Sequence, residues 1–201
     1  MDVSTKQQKI AKIAEKYSDE SIKSLNHYID IEWLREAYRR TKKDTAAGVD
    51  NVTAEEYEKE LDTNLRALLD RFKGGTYKAP PVKRVYIPKD EAGKEKRAIG
   101  IPTLEDKLLQ RAVKMVLEPV LEVFFKDCSF GFRPERSIQE AEEEIWQTAM
   151  NYGGCWVLEV DIRKYFDSIT HQHLRKFYRD KVCDGVIVRM LDKWLKAGIL
   201  E

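Results

Sequence analysis

Residues 77–102, YKAPPVKRVYIPKDEAGKEKRAIGIP, constrain the fold more than any other part of the sequence. Apolar and polar residues alternate over 82–87, and a second β-forming run over 96–101 follows a charged turn that contains Gly93. This arrangement predicts a β-hairpin. Because helical periodicity precedes and follows it, we expect helices around a small antiparallel sheet, which is an α+β fold.

The other elements are predicted from apolar residues at three- and four-residue spacing and from capping residues. Thr53 and Glu56 have the spacing of a capping box, so a helix is expected to begin there and to end before Gly74. The apolar run WVLEVDI, 156–162, predicts a buried strand. Further helices are expected over about 5–17, 30–41, 104–118 and 137–150, and from Ser168 to the end of the chain.

Composition limits the function only weakly. The 201 residues suffice for one large domain or two small ones, and 42% of them are hydrophobic, as in a globular protein. Because the net charge is only +1, a nucleic-acid partner would have to contact locally concentrated basic residues.

The cysteines and the apolar segments bear on the cellular location. Cys128, Cys155 and Cys183 are far apart and form no C-x-x-C pair, which is typical of reduced thiols in the cytosol. No apolar run approaches the ~20 residues of a membrane span, and the N-terminus lacks the apolar core of a signal peptide. We therefore expect a cytoplasmic protein without a membrane partner.

An aspartate lies near the end of the predicted strand 156–162. A buried carboxylate there is costly unless it has a partner, and Mg²⁺ prefers such hard oxygen ligands. The pattern alone leaves a second interpretation open, in which Asp161 or Asp167 caps the helix that follows.

Basic residues are concentrated in and before the predicted hairpin. From Arg71 to Arg97 there are nine basic residues and three acidic ones, a local excess of six positive charges. Such a surface can contact a phosphate-rich groove or a triphosphate, and the alternative is an ordinary solvated hairpin. Together with a strand-tip aspartate it matches phosphoryl transfer, in which a metal neutralises charge and cations position phosphates.

Four blocks resemble bacterial group II intron-encoded reverse transcriptases, the maturases, and occur in the same order. They are AAGVDNVT, YKAPPVKRVYIPKDEAGKEKRAIGIPTLEDKLLQRAV, CSFGFRPERSIQEA and VLEVDIRKYFDSITHQHL. The resemblance extends from about residue 30 to the end. It implies the N-terminal fragment of a right-hand polymerase. Extension helices and a template-lid loop would occupy 1–50, the fingers 51–150 and a partial palm 151–201.

The resemblance also implies roles in an active site. Asp161 resembles the first catalytic aspartate and a Mg²⁺ ligand, and the backbone carbonyl of Ile162 is a further implied ligand. Phe166 resembles the aromatic residue that rejects a ribose 2′-hydroxyl. Lys89 and Arg97 resemble the finger residues that hold the incoming deoxynucleoside triphosphate.

RNA-binding residues are expected in three regions. The loop 41–50 resembles the lid over the template, Arg133 resembles a residue near the primer–template path, and Lys83 is expected to contact the template backbone. For Arg133 the alternative is a structural salt bridge, and for the basic N-terminal helices it is a solvated face. The remaining expected RNA contacts are Lys9, Lys12, Lys16, Arg39, Arg40, Lys42 and Lys43.

The resemblance thus implies an RNA-directed DNA polymerase that uses an RNA template and a DNA primer and also binds group II intron RNA to assist splicing and mobility. A reverse transcriptase of a retron or of a diversity-generating element is the alternative, because those lineages share the GVD, RAIGIP and FGFRP blocks. The family's second catalytic motif, an aromatic residue, any residue and two aspartates, does not occur before the final KAGILE. We therefore expect a fragment of a protein from the bacterial cytoplasm that binds RNA but does not polymerise alone. Whether it forms a homodimer is left open.

Overall fold

The computed structural model describes residues 2–88, 96–154 and 156–200. Within these ranges the chain forms helices and a small sheet, which confirms the α+β class. The strands are β1 Val82–Pro88, β2 Lys96–Ile101 and β3 Ile199–Leu200. The helices are α1 Val3–Lys16, α2 Ile31–Arg40, α3 Ala54–Glu58, α4 Leu61–Lys73, α5 Leu104–Glu122, α6 Ile138–Asn151, α7 Tyr165–Ser168, α8 His171–Lys181 and α9 Gly185–Lys196, with a 3₁₀ turn at Asn26–Tyr28.

Helix α5 is the centre of the molecule, because α1 and α2 both pack against it. The fully buried indole of Trp33 donates from Nε1 to the carbonyl of Ala112 at 2.9 Å. Lys6, on the buried face of α1, forms an ion pair with Asp30, the N-cap of α2. These contacts fix the two N-terminal helices on α5 through both apolar burial and satisfied polar groups.

The helix expected after Thr53 is present but interrupted. The capping box of Thr53 and Glu56 forms as predicted, with the Thr53 side chain accepting from the Glu56 N–H. Helix α3 then ends at Glu58, and α4 begins at Leu61. Asn64 Nδ2 donates to the carbonyl of Tyr57 at 3.0 Å and so satisfies a backbone group freed by the break.

The predicted hairpin is confirmed, but the sheet is mixed rather than antiparallel. Strands β1 and β2 pair antiparallel, with Lys83 opposite Ile101 and Ile87 opposite Arg97. The short β3 then pairs parallel to β1, which corrects the expectation that the chain is helical from Ser168 to its end. Gly198 has a φ of 75°, and this left-handed turn leads the chain from α9 back to the sheet. The expected turn around Gly93 lies outside the described residues.

The prediction of a buried strand at 156–162 is wrong. Residues 156–162 form neither helix nor strand, and their apolar side chains are exposed, including Trp156 at 102%. A strand requires a neighbour to accept its backbone hydrogen bonds. Among the described residues the sheet has the order β2-β1-β3, and none of its strands pairs with this segment.

The carboxylate of Asp184 joins the N-terminal region to α9. Asp184 is 1% exposed and is the N-cap of α9. One of its oxygens accepts from the N–H groups of Val186 and Ile187, and the other accepts from the N–H groups of Leu25 and Asn26 and from the Asn26 side chain. We call this arrangement the Asp184 clasp. It links residues about 160 positions apart in sequence.

A second buried carboxylate fixes the base of the hairpin. Asp106, near the start of α5 and 1% exposed, accepts from the Tyr77 hydroxyl at 2.7 Å and from Trp194 Nε1 at 3.0 Å. Lys193 donates to the carbonyls of Gly75 and Tyr77, both at 2.6 Å. Helix α9 therefore holds the segment that leads into β1.

Candidate functional site

The segment that contains Asp161 is exposed and irregular up to α7. Asp161 itself is exposed, and Ile162 and Phe166 are 60% and 85% exposed. Lys164 has a φ of 52°, a left-handed conformation that turns the chain into the short helix α7. The rings of Tyr165 and Phe166 meet edge to face, with centroids 5.3 Å apart. Asp161 is therefore accessible to a ligand, but it is not the buried strand tip that the sequence predicted.

Asp161 has the right chemistry for one Mg²⁺ ligand, but the described residues do not complete a site. Over 2–88, 96–154 and 156–200, no three acidic, histidine or cysteine side chains lie close enough to hold a metal ion together. Phosphoryl transfer with two metals needs several converging carboxylates. This part of the chain does not by itself fit the metal that the resemblance implies.

The hairpin brings two of the predicted basic residues onto one face. Directly opposite residues of an antiparallel pair lie on the same face, so Lys83, Val85 and Ile87 share theirs with Ile101, Ile99 and Arg97. Lys83 and Arg97 are both exposed and lie at opposite ends of an apolar centre, about 13 Å apart along the strand. Lys89 lies outside the described residues.

Arg133 lies within the protein surface and contacts protein groups. Its side chain is 8% exposed and donates twice to Glu122 Oε1, at 2.8 and 2.6 Å. It also donates to the carbonyls of Lys126 and Ser129, both at 2.7 Å. These contacts tie the loop after α5 to the end of that helix, as the salt-bridge alternative predicts. A contact between Arg133 and RNA stays a prediction.

The basic residues of α1 and α2 differ in their surroundings. Lys9, Lys12 and Lys16 are exposed on α1. Arg39 and Arg40 both donate to Glu36, at 2.7 and 2.6 Å, and the hydrogen bond from Arg39 is the main reason that the pKa of Glu36 falls to about 2. Part of the positive charge of α2 is therefore already neutralised, whereas the α1 lysines present theirs to solvent.

The loop 41–50 is fixed against α5. Lys107 donates from Nζ to the Thr45 hydroxyl at 3.0 Å and to the carbonyl of Ala46 at 2.9 Å. Gly48 packs against the start of α5, where a Cβ on residue 48 would lie 2.6 Å from the backbone N and Cα of Thr103. Lys43 lies over the Tyr38 ring, with Nζ 4.6 Å from its centroid. The predicted template lid is thus a docked loop with a defined conformation.

Replacing Gly48 by alanine is expected to lower the free energy of unfolding by about 1–3 kcal/mol, the usual range for overpacking. The added methyl group meets backbone atoms of the α5 N-cap, which cannot rotate away. Urea denaturation followed by circular dichroism measures the loss. Gly131→Ala is the matched control, since a Cβ there has no neighbour within 4 Å. Equal stability of the two variants would show that the loop does not dock on α5.

Sequence reasoning missed a set of basic residues on α5. Lys107, Arg111 and Lys114 recur at four- and three-residue spacing and therefore lie on one side of the helix, beside Lys42 of the loop. The spacing of these three residues can be seen in the sequence. Their proximity to Lys42 cannot, because it depends on how the loop docks on α5.

Comparison with known proteins gives consistent results over most of the chain. Residues 87–199 match the reverse transcriptase (RNA-dependent DNA polymerase) family. Protein YkfC of Escherichia coli K12 is 38% identical over 176 residues, which are 85% of this chain and 46% of YkfC. The group II intron-encoded protein LtrA of Lactococcus lactis subsp. cremoris is 34% identical over 198 residues, which are 96% of this chain and 32% of LtrA. The chain thus spans less than half the length of either relative.

The matched range begins within β1 and ends within β3. It therefore contains the described part of the hairpin from Ile87 onward, helices α5 to α9 and the segment around Asp161. It covers more than half of the chain. The chain belongs to the reverse transcriptase (RNA-dependent DNA polymerase) family.

Proposed function

We propose that the whole protein copies RNA into DNA and that this chain supplies its template-lid loop, its fingers and the first part of its palm. The observation that carries the proposal is the family match over 87–199, which includes Arg97 and Asp161. The register of the hairpin supports it, because Lys83 and Arg97 share an exposed face that could contact phosphates.

We assign a separate role to each of the three segments expected from the sequence. In this proposal residues 1–50 contact RNA and cover the template, 51–150 form the fingers and 151–201 belong to the palm. Lys89 and Arg97 bind the triphosphate, and Asp161 with the Ile162 carbonyl provides part of a Mg²⁺ site. The remaining carboxylates come from elsewhere in the whole protein. Because no three metal-ligating side chains of the described residues lie close enough to hold a metal ion together, we expect no DNA synthesis from residues 1–201 alone.

We further propose that the chain binds group II intron RNA and assists its splicing. This rests on similarity to LtrA, which is named as a group II intron-encoded protein and matches 96% of this chain. The exposed Lys9, Lys12 and Lys16 are the candidate contacts on α1, together with Lys42 and Lys43 beyond α2. Recognition would depend on the shape and phosphates of the RNA more than on base edges.

The test of the polymerase proposal is RNA-templated primer extension by the whole protein with deoxynucleotides and ribonucleotides in competition. We expect the unaltered protein to incorporate deoxynucleotides and to discriminate against ribonucleotides. Phe166→Val should increase ribonucleotide incorporation by at least about tenfold, because a smaller side chain admits the 2′-hydroxyl, an effect of roughly 1.4 kcal/mol.

Tyr165→Phe is the matched control, since it changes the neighbouring ring of the edge-to-face pair without opening space. Its nucleotide selectivity should stay that of the unaltered protein. If Phe166→Val extends primers with unchanged selectivity, the role of Phe166 is wrong. If the unaltered protein makes no RNA-templated DNA, the polymerase proposal itself is wrong.

A further inference from the structure

A basic groove lies between α5 and the loop that follows α2. Its volume is about 530 Å³. The α5 wall contains Lys107, Arg111 and Lys114, and the loop wall contains Lys42 and Thr45. The groove shares no residue with the β-hairpin or with the segment around Asp161. Its loop wall belongs to the proposed template lid 41–50, and its α5 wall adds basic residues that are not among the site residues predicted from the sequence.

The groove concentrates positive charge in a chain that is almost neutral overall. Four of its lining residues are basic and none is acidic. The nearest ion pair on α5 joins Lys114 to Glu118 at 3.2 Å, but Lys114 is 56% exposed and Glu118 lies outside the groove lining. With a net charge of +1 for the whole chain, such segregation favours an anionic ligand at this position.

The cations of the groove have two different roles. The ammonium group of Lys107 donates to the Thr45 hydroxyl and to the carbonyl of Ala46, and burial lowers the pKa of Lys107. It therefore holds the loop wall in place. Arg111 is half-buried and Lys114 and Lys42 are exposed, so these three side chains can donate to a bound anion. Gln110 adds a neutral amide to the same wall.

The lining also indicates which part of a nucleic acid would bind. It contains no aromatic residue on which a base could stack, because Thr, Lys, Gln and Arg side chains form it. Phosphate oxygens are the natural partners of guanidinium and ammonium donors. The groove is open to solvent rather than enclosed, which suits an extended strand better than a small molecule that must be surrounded.

We propose that this groove binds the phosphodiester backbone of an RNA strand, independently of base sequence, through Arg111, Lys114 and Lys42. The inference rests on the proposed RNA-binding function and adds a contact site to it. Binding there places RNA against the docked loop 41–50, on a wall that Lys107 fixes.

The experiment measures binding of the chain to a fluorescein-labelled oligouridine by anisotropy between about 50 and 200 mM salt, where phosphate contacts change affinity most clearly. The test variant is Arg111→Gln with Lys114→Gln, which leaves Lys107 and the loop wall intact. Lys59→Gln with Arg66→Gln is the matched control, because it removes the same two charge types from exposed positions outside the groove. Thermal unfolding establishes that each variant is folded.

We expect the test variant to bind about tenfold more weakly than the control at low salt, and its plot of log affinity against log salt to flatten by up to about 1.4, which is about 0.7 per lost contact on a single strand. Lys42→Gln should weaken binding in the same direction from the loop wall. Should the double variant unfold, the single variant Lys114→Gln, at an exposed position of the α5 wall, takes its place. If the test and control variants bind RNA equally well, the groove is not the binding site, although the proposed RNA-binding function still stands. Absence of RNA binding by the unaltered chain would contradict the proposed RNA-binding function as well. Equal binding of polyglutamate would assign the groove to an acidic protein instead.

Discussion

Replacing Asp184 by alanine is expected to lower the free energy of unfolding by about 3 kcal/mol or more. The change removes the N-cap of α9, worth about 1 kcal/mol, and leaves the buried N–H groups of Leu25 and Asn26 without their acceptor, at about 1–3 kcal/mol. Both costs fall on the junction between the N-terminal region and α9. Urea denaturation of the chain followed by circular dichroism gives the magnitude.

The Asp184 clasp also makes the free energy of unfolding depend on pH in the acid range. Burial by itself raises the pKa of Asp184, but the N–H donors of Leu25, Asn26 and Ile187 outweigh it and hold the pKa below the usual range. A depressed carboxyl pKa contributes stability that is complete above the unfolded-state pKa of about 3.9 and is lost as the pH falls towards the folded-state pKa. The free energy of unfolding of Asp184→Asn should therefore fall less steeply with decreasing pH than that of the unaltered chain, as urea denaturation at several acid pH values would show.

Asp180→Ala is the control for the clasp, because Asp180 is exposed on the neighbouring helix α8. Its expected effect is within about 0.5 kcal/mol, as for an ordinary surface substitution. If Asp184→Ala were no more destabilising than Asp180→Ala, the clasp would not hold the N-terminal region to α9.

The elements that the sequence predicts well are those whose signals are local. The alternation over 82–87 and the box formed by Thr53 and Glu56 depend on neighbours within a few residues, and both form as expected. The short strand β3 was not predicted, because it depends on pairing with β1, far earlier in the chain. The interruption between α3 and α4 was not predicted either.

Burial of polar residues shows the limit of sequence reasoning most clearly. Asp184 and Asp106 are each 1% exposed, yet nothing in their local sequence distinguishes them from the exposed Asp161. Their donors come from Leu25, Asn26, Tyr77 and Trp194, which only the fold brings near. The apolar run 156–162 led to the opposite error, since periodicity cannot reveal whether a neighbouring strand is present.

The candidate site, too, could be predicted only in part from the sequence. The sequence identifies Lys83 and Arg97 as basic hairpin residues, and the register then places them on one face. It does not reveal that Arg133 is occupied by Glu122 and two carbonyls, or that Lys42 lies beside Arg111 in a groove. Charge can be counted in a sequence, whereas its partners are set by tertiary contacts.

The most direct test of the polymerase account is primer extension by the whole protein on an RNA template with deoxynucleotides and Mg²⁺. Asp161→Ala is expected to reduce extension at least about a thousandfold, equivalent to roughly 4 kcal/mol, because a carboxylate at a metal site is not replaced by another side chain. Asp161 is exposed in the described structure, so the variant should unfold at the same urea concentration as the unaltered protein. Glu159→Ala removes an exposed acid two residues earlier and should retain extension. RNA-templated synthesis that is lost only with Asp161 is the result the account predicts. Undiminished synthesis by Asp161→Ala, or none by the unaltered protein, would contradict it.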